Sequence, residues 1–74
     1  MGDNIDARKS AAIGEISFSI TLWHNRLSVY RFIGGDYCSI DMPGTVDDFN
    51  QFDETRPGEW FDVAAKMLKG RGEK

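Results

Sequence analysis

The sequence has one cysteine, Cys38, and one histidine, His24, among its 74 residues. A single cysteine excludes an internal disulfide, and one Cys with one His is too few for a zinc site. No apolar run approaches the roughly 18 residues that a membrane span requires. The opening stretch MGDNIDARKS lacks the apolar core of a signal peptide, and Asp6 stands where a myristoylation signal carries Ser or Thr. We therefore expect a soluble, unlipidated protein of the cytoplasm.

The sequence also lacks a catalytic signature. A nucleophilic site needs a base within reach of a Ser or Cys, but His24 falls in a predicted turn and Cys38 in the middle of a predicted strand, on its core side. Asp47-Asp48 and Asp53-Glu54 do not follow the spacing of a calcium loop, and Gly34-Gly35 is interpreted as a hairpin turn. We expect no enzyme activity, no cofactor and no metal.

Residues 15–42 carry the clearest pattern in the chain, EISFSITLWHNRLSVYRFIGGDYCSIDM. Apolar and polar residues alternate over three segments, which is typical of half-buried strands, and the alternation is broken at His24–Arg26 and again at Gly34–Asp36. These breaks predict two tight turns and a three-stranded antiparallel β-meander.

The register of the first turn decides which residues face the core. A turn at Asn25-Arg26 pairs Leu22 with Val29 and gathers ten apolar residues on one face, so we prefer it. A slip of one residue would bring Tyr30 and Phe32 to that face instead. In the preferred register Arg31 is the one charged residue on the core face, and we expect it near an edge with its charged end reaching water.

Two helices are predicted after the meander. Thr45 with Asp48 three residues later is typical of a capping box and opens a short helix over residues 46–52. Pro57 opens a second helix that runs to about Lys69 and ends at Gly70. Its apolar stripe packs on the sheet and consists of Trp60, Phe61, Ala64, Met67 and Leu68.

The expected fold is therefore α+β: a three-stranded antiparallel β-meander with two C-terminal helices packed on one face. It forms a single domain over residues 1–74, with the meander at 15–42 and the helices at 45–69. Residues 1–14 are expected to be either a short helix capped by Asn4 or a weakly ordered segment, and residues 70–74 a flexible tail.

In this register four aromatic residues lie on the face away from the helices, among small polar residues. They are Trp23, Tyr30, Phe32 and Tyr37. Such a composition is typical of the centre of a protein–protein interface, so we predict these four as contact anchors. The alternatives are that residues 1–14, or a second copy in a homodimer, cover the aromatic face.

The net charge is −3, and the acids are concentrated in the middle of the chain, where residues 36–62 hold eight acids and one arginine. Asp36, Asp41, Asp47 and Asp48 are predicted to steer the protein toward a partner with a basic surface, or to mimic nucleic-acid charge. The same acids argue against direct binding of nucleic acid, because phosphate contact supplies most of that affinity.

The segment EISFSITLWHNRLSVYRFIGGDYCSIDMPGT, followed by TVDDFNQF and PGEWFDVAAKMLKG, resembles small phage-encoded anti-CRISPR proteins in length, element order and acidity. The resemblance implies a non-enzymatic inhibitor in the host cytoplasm that binds a nucleic-acid-handling effector complex and blocks its target binding or nuclease recruitment. Two alternatives stay open: a small DNA- or RNA-binding regulator that uses its aromatic face, and a structural or assembly subunit such as a small virion component.

Overall fold

The computed structural model describes residues 6–70, so the predictions for Asn4 and for the tail at 71–74 fall outside the described residues. The chain is α+β, with an antiparallel sheet followed by a C-terminal helix, as expected. The strands are β1 (Ala7–Ile13), β2 (Ile16–Trp23), β3 (Arg26–Ile33) and β4 (Asp36–Pro43), and the helices are α1 (Val46–Phe49) and α2 (Trp60–Gly70).

The sheet has four strands in the order β1-β2-β3-β4, so the prediction of three strands is wrong. Residues 7–13 are neither helical nor a loose segment, since they form an edge strand paired along its length with β2. Ala7, Lys9, Ala11 and Ile13 do alternate toward the core, but alanine favours helices and lysine is polar. The period of two is therefore hidden in the sequence.

Each hairpin closes with a two-residue turn. His24 and Asn25 both have positive φ, 51° and 61°, which is the pattern of a type I′ turn. Gly14 and Gly34 have φ of 59° at the first position of the other two turns, where a type II′ turn requires glycine.

The turn between β2 and β3 is formed by His24-Asn25, so Leu22 pairs with Leu27. The predicted pairing of Leu22 with Val29 is therefore wrong by two residues. A shift of two residues keeps each side chain on the same face. The predicted division of residues between the two faces is therefore confirmed. We call the face that packs against the helices the inner face and the opposite one the outer face.

A single core lies between the inner face and the helices. Trp60, the first residue of α2, makes edge-to-face contacts with Phe18 and Phe52 at centroid distances of 6.1 and 6.3 Å. Its indole N–H donates to the carbonyl of Asp53 at 2.8 Å, which fastens the preceding loop to the core. The buried side chains are Phe18, Ile20, Leu22, Leu27, Val29, Met42, Phe49, Phe52, Trp60 and Ala64.

Residues 6–70 contain one main helix, α2, so the prediction of two C-terminal helices holds only in part: the short helix predicted over residues 46–52 is reduced to the single turn of α1. The capping box is confirmed: Thr45 Oγ1 accepts from the backbone N–H of Asp48, and the Asp48 carboxylate accepts from the backbone N–H of Thr45. The helix ends after four residues at Phe49. Pro57 opens a 3-10 turn (Pro57–Glu59) that leads into α2.

Lys9 joins the edge strand to the helical layer. Its Nζ donates to the carbonyls of Phe49 and Phe52 at 3.1 and 2.6 Å and lies 4.6 Å from the centroid of the Phe49 ring. A cation is favourable at a helix C-terminus, where carbonyls lack intrahelical donors. This lysine therefore stabilises the end of α1 from the sheet side.

Arg31 is the one departure from an apolar inner face on β3. It does not lie near a sheet edge, because β4 covers β3 on that side. Its guanidinium lies 5.1 Å from the centroid of the Phe61 ring in α2, and Nη2 lies 3.8 Å from the Cys38 sulfur. The arginine therefore packs beneath α2, and its buried Nε makes no hydrogen bond with the described residues.

Candidate partner-binding surface

The outer face of the sheet carries no helix within residues 6–70, because α1, the 3-10 turn and α2 all pack toward the inner face. Alternation along the strands sends every second side chain to this open side. β1 adds to the sheet at its edge and does not cover it, so the alternative in which residues 1–14 cover the aromatic face is wrong for residues 7–13. Residues 1–5 lie outside the described residues.

Three aromatic side chains form one cluster on the outer face, defined here as the aromatic cluster: Tyr30, Phe32 and Tyr37. Phe32 and Tyr37 are direct cross-strand partners, with ring centroids 5.8 Å apart and planes 23° from parallel. Tyr30 lies two residues before Phe32 on the same strand. Their ring centroids are 6.2 Å apart and their ring planes are 25° from parallel. Type II′ closure at Gly34 brings the two strands into this register.

The aromatic cluster is open to solvent. Tyr37 is 63% exposed and Phe32 is 42% exposed, while Tyr30 is partly buried between its neighbours. Large aromatic side chains left exposed together in a small protein are typical of contact surfaces. Because the rings already stack on one another in the free protein, the binding of a partner costs little further side-chain entropy.

Trp23 lies apart from the aromatic cluster, although it shares the outer face and is 50% exposed. It pairs with Arg26, which is four residues before Tyr30 on β3, a separation of about 14 Å along the strand. The Trp23 ring instead contacts His24 in the turn, at a centroid distance of 4.4 Å. The structure thus brings together three of the four predicted anchors and leaves the fourth at the opposite end of the face.

The remainder of the outer face is mainly small and polar. Ser19 and Ser39 flank Tyr30 on the neighbouring strands, and Thr21 and Ser28 face each other in the next pair. Small side chains beside an aromatic cluster leave the ring faces accessible, which is the arrangement of an interface centre with a polar surround.

The four predicted acidic residues do not form one patch with the aromatic cluster. Asp41 lies on the outer face opposite Ser28. Asp36, the first residue of β4, lies on the inner face opposite Ile33. Asp47 and Asp48 lie in the first turn of α1, on the far side of the sheet. The carboxylate of Asp48 is engaged in the capping box, so part of its charge stabilises the helix start.

Within residues 6–70, two arginines lie on the outer face, and only one of them, Arg26, falls within the predicted meander, where it was assigned to the turn. Arg26 pairs with Trp23 at the turn end, and Arg8 on β1 lies opposite Thr21. Arg8 was missed because β1 was missed. The local signal that could have found it is Gly14-Glu15, because a two-residue break that starts with glycine directly before a strand is typical of a hairpin turn.

His24 and Cys38 lie far apart. His24 is in the turn beyond the pair formed by Arg26 and Pro43, while Cys38 is five residues from Pro43 along β4. Cys38 does lie on the inner face, as predicted, but its side chain is exposed. Among residues 6–70, no three His, Cys, Asp or Glu side chains converge as metal ligands.

Over residues 6–70, the fold and this surface define a small α+β protein whose antiparallel sheet is packed against helices on its inner face and exposed on its outer face. In comparisons with protein-family models, curated proteins and solved structures, no match was found for this chain. The resemblance to anti-CRISPR proteins therefore stays a prediction. Within residues 6–70, no helix has the length and apolar character needed to cross a membrane.

Proposed function

We propose that this chain is a non-enzymatic binding protein that holds a protein partner on the outer face of its sheet. The observation that carries the proposal is the aromatic cluster of Tyr30, Phe32 and Tyr37, stacked, exposed and surrounded by small polar side chains. Tyr and Phe packed against a partner dominate binding energy in many interfaces, and truncation of one such anchor typically costs about 2 kcal/mol or more.

The partner we propose is a component of a nucleic-acid-handling complex, in which case binding acts as inhibition of an anti-defence, anti-CRISPR type. Such complexes present basic channels, and the chain has a net charge of −3. The acids lie at several places around the protein, so their role in this proposal is long-range attraction during encounter. The aromatic cluster supplies the close contact.

The test is target binding by purified CRISPR effector complexes, measured by gel shift with labelled target DNA and increasing amounts of this protein. The proposal predicts that wild type blocks the shift and that Tyr37→Ala requires at least roughly 30-fold more protein. Val46→Ala is the matched control, since Val46 is 58% exposed and lies on the helical side, and it should inhibit like wild type. Equal inhibition by Tyr37→Ala and wild type would remove the aromatic cluster from the proposal.

A second candidate is a binder of single-stranded nucleic acid. The observation in its favour is that Arg8 and Arg26 share the outer face with the aromatic cluster, whereas Asp47 and Asp48 lie on the other side. Bases stack on exposed aromatic side chains, and arginines contact the phosphates.

Fluorescence anisotropy of labelled single-stranded oligonucleotides separates the two candidates. Binding at micromolar protein that weakens steeply between about 50 and 200 mM salt, and weakens further in Arg8→Ala, favours the nucleic-acid candidate. The protein-partner proposal predicts no change in anisotropy at either salt concentration.

A further inference from the structure

The outer edge of β4 is unpaired within the described residues. The backbone N–H of Gly44 donates to the carbonyl of Asn25 on the β3 side at 3.0 Å. Backbone groups alternate in direction along an antiparallel strand, so the odd-numbered residues of β4 direct theirs away from β3: Tyr37, Ser39 and Asp41. Among residues 6–70, no backbone hydrogen bond reaches these groups from another segment.

The two edges of the sheet differ in how they are protected. β1 carries Arg8 and Lys9, charged side chains of the kind that keep an edge strand from pairing with another chain. β4 is eight residues long and exposed over Asp36–Ser39. It carries Asp36, Asp41 and Pro43, which also discourage pairing, but residues 37–40 between them hold no charge and no proline. The less protected edge is therefore that of β4.

We propose that β4 pairs antiparallel with β4 of a second copy of this chain, around a two-fold axis at Ser39, to form one continuous sheet. In this register Ser39 lies opposite Ser39 of the second copy, and Tyr37 lies opposite Asp41. Every outward N–H of β4 then meets an outward carbonyl, because each such pair exchanges two hydrogen bonds.

Charge and sequence favour this register over its neighbours. It places no two aspartates opposite each other, whereas an axis at Asp41 would oppose two like charges. An axis at Ile40 would place Tyr37 opposite Pro43, which has no N–H to donate. The axis at Ser39 also gives the longest overlap that avoids Pro43, over residues 36–42.

Pairing at the β4 edge occurs in the plane of the sheet, so it leaves the outer face open. It brings the aromatic clusters of the two copies onto one surface, each with Tyr37 nearest the shared edge. Closed two-fold pairing is the commonest symmetry of homo-oligomers. The contact is that of one strand pair and is small for a specific interface, so we expect a dissociation constant on the order of tens of micromolar.

The first test is sedimentation velocity over a concentration series with a matched pair of variants. Ser39→Lys opposes two ammonium groups across the axis, and we expect it to weaken association by about tenfold or more. Ser10→Lys makes the same change in the same row of the sheet, on β1, and should associate like wild type. A monomeric wild type at several hundred micromolar (roughly ten times the expected constant) would overturn the proposal.

The second test is disulfide formation under mild oxidation in a Cys38→Ser background. Ser39→Cys should give a covalent dimer, because directly opposite residues in a hydrogen-bonded antiparallel pair have Cα atoms about 5.5 Å apart, within disulfide range. Ser10→Cys is the control and should stay monomeric. Equal cross-linking of the two variants, or rapid cross-linking of wild type through Cys38, would overturn pairing at Ser39.

Discussion

The hydrogen bonds that Lys9 on the edge strand β1 donates to the helical layer should contribute measurably to the stability of the protein. Lys9→Met removes the ammonium group and keeps an unbranched side chain of similar reach. Phe49 keeps one donor for its carbonyl, since the N–H of Phe52 lies 3.2 Å from it. The carbonyl of Phe52, which accepts from Lys9 Nζ at 2.6 Å, loses this hydrogen bond.

The expected loss of stability is about 2 kcal/mol. A hydrogen bond to a charged donor contributes about 1.5–3 kcal/mol, and a cation over a ring adds about 0.5–1 kcal/mol. Water reaches this partly buried site in the variant and recovers part of the loss. For a chain of this size, whose total stability is on the order of 4–10 kcal/mol, the melting temperature should fall by roughly 8–16 °C.

Urea unfolding followed by tryptophan fluorescence measures this loss, because Trp60 lies in the core beside Phe52. Arg8→Met is the control. Arg8 is the exposed neighbour on the opposite face of the same strand, and its replacement should change the free energy of unfolding by less than about 0.5 kcal/mol. A Lys9→Met variant as stable as the Arg8→Met control would refute the docking of β1 against α1.

Three further predictions concern the core, the helix start and the acid dependence. Val29→Ala should cost about 2–4 kcal/mol in urea unfolding, because Val29 is fully buried in the middle of the sheet, and a loss under about 1 kcal/mol would contradict the assignment of Val29 to the inner face. Thr45→Ala should cost about 1 kcal/mol through loss of the capping box, with Thr45→Ser close to wild type by the same assay. Thr55 donates its backbone N–H and its hydroxyl to the Asp53 carboxylate and lowers the pKa of Asp53 below its ordinary 3.8. Because the pKa is lowered only in the folded state, the unfolded state binds more protons in acid. The stability that the ionised Asp53 carboxylate contributes is therefore present above about pH 4 and is lost as the pH falls through the folded-state pKa. Asp53→Asn should therefore flatten the decline of stability with acid; an unchanged slope would contradict this.

The strands with β-branched and aromatic residues were predictable from the sequence because their alternation is regular. Ile20 and Val29 were assigned to the correct face even though the predicted pairing was two residues off, since only an odd shift exchanges the faces. The edge strand β1 was not predictable from the same rule. Three of its four inward positions are held by Ala7, Lys9 and Ala11. The inward lysine is explained by the carbonyls of Phe49 and Phe52, which lie 40 and 43 residues away in the chain.

The candidate surface was predicted in part for a related reason. Tyr30, Phe32 and Tyr37 were grouped correctly, because neighbouring strands joined by a short turn bring their side chains together. Trp23 was grouped with them by face alone, and the face is long enough to separate them. Asp47 and Asp48 follow the meander closely in sequence, but the chain turns to the inner side after Pro43, so closeness in sequence did not predict closeness in space.

The proposals for the outer face depend on one claim: the aromatic cluster is exposed to solvent, whereas Trp60 of α2 is buried. Photochemically induced nuclear polarisation by a flavin dye measures this directly, because only tyrosine, tryptophan and histidine rings that the dye can touch give enhanced NMR signals. Enhanced signals from Tyr37 and Trp23 together with silence from Trp60 are the expected result. A silent Tyr37 beside an enhanced Trp60 would contradict the assignment of inner and outer faces.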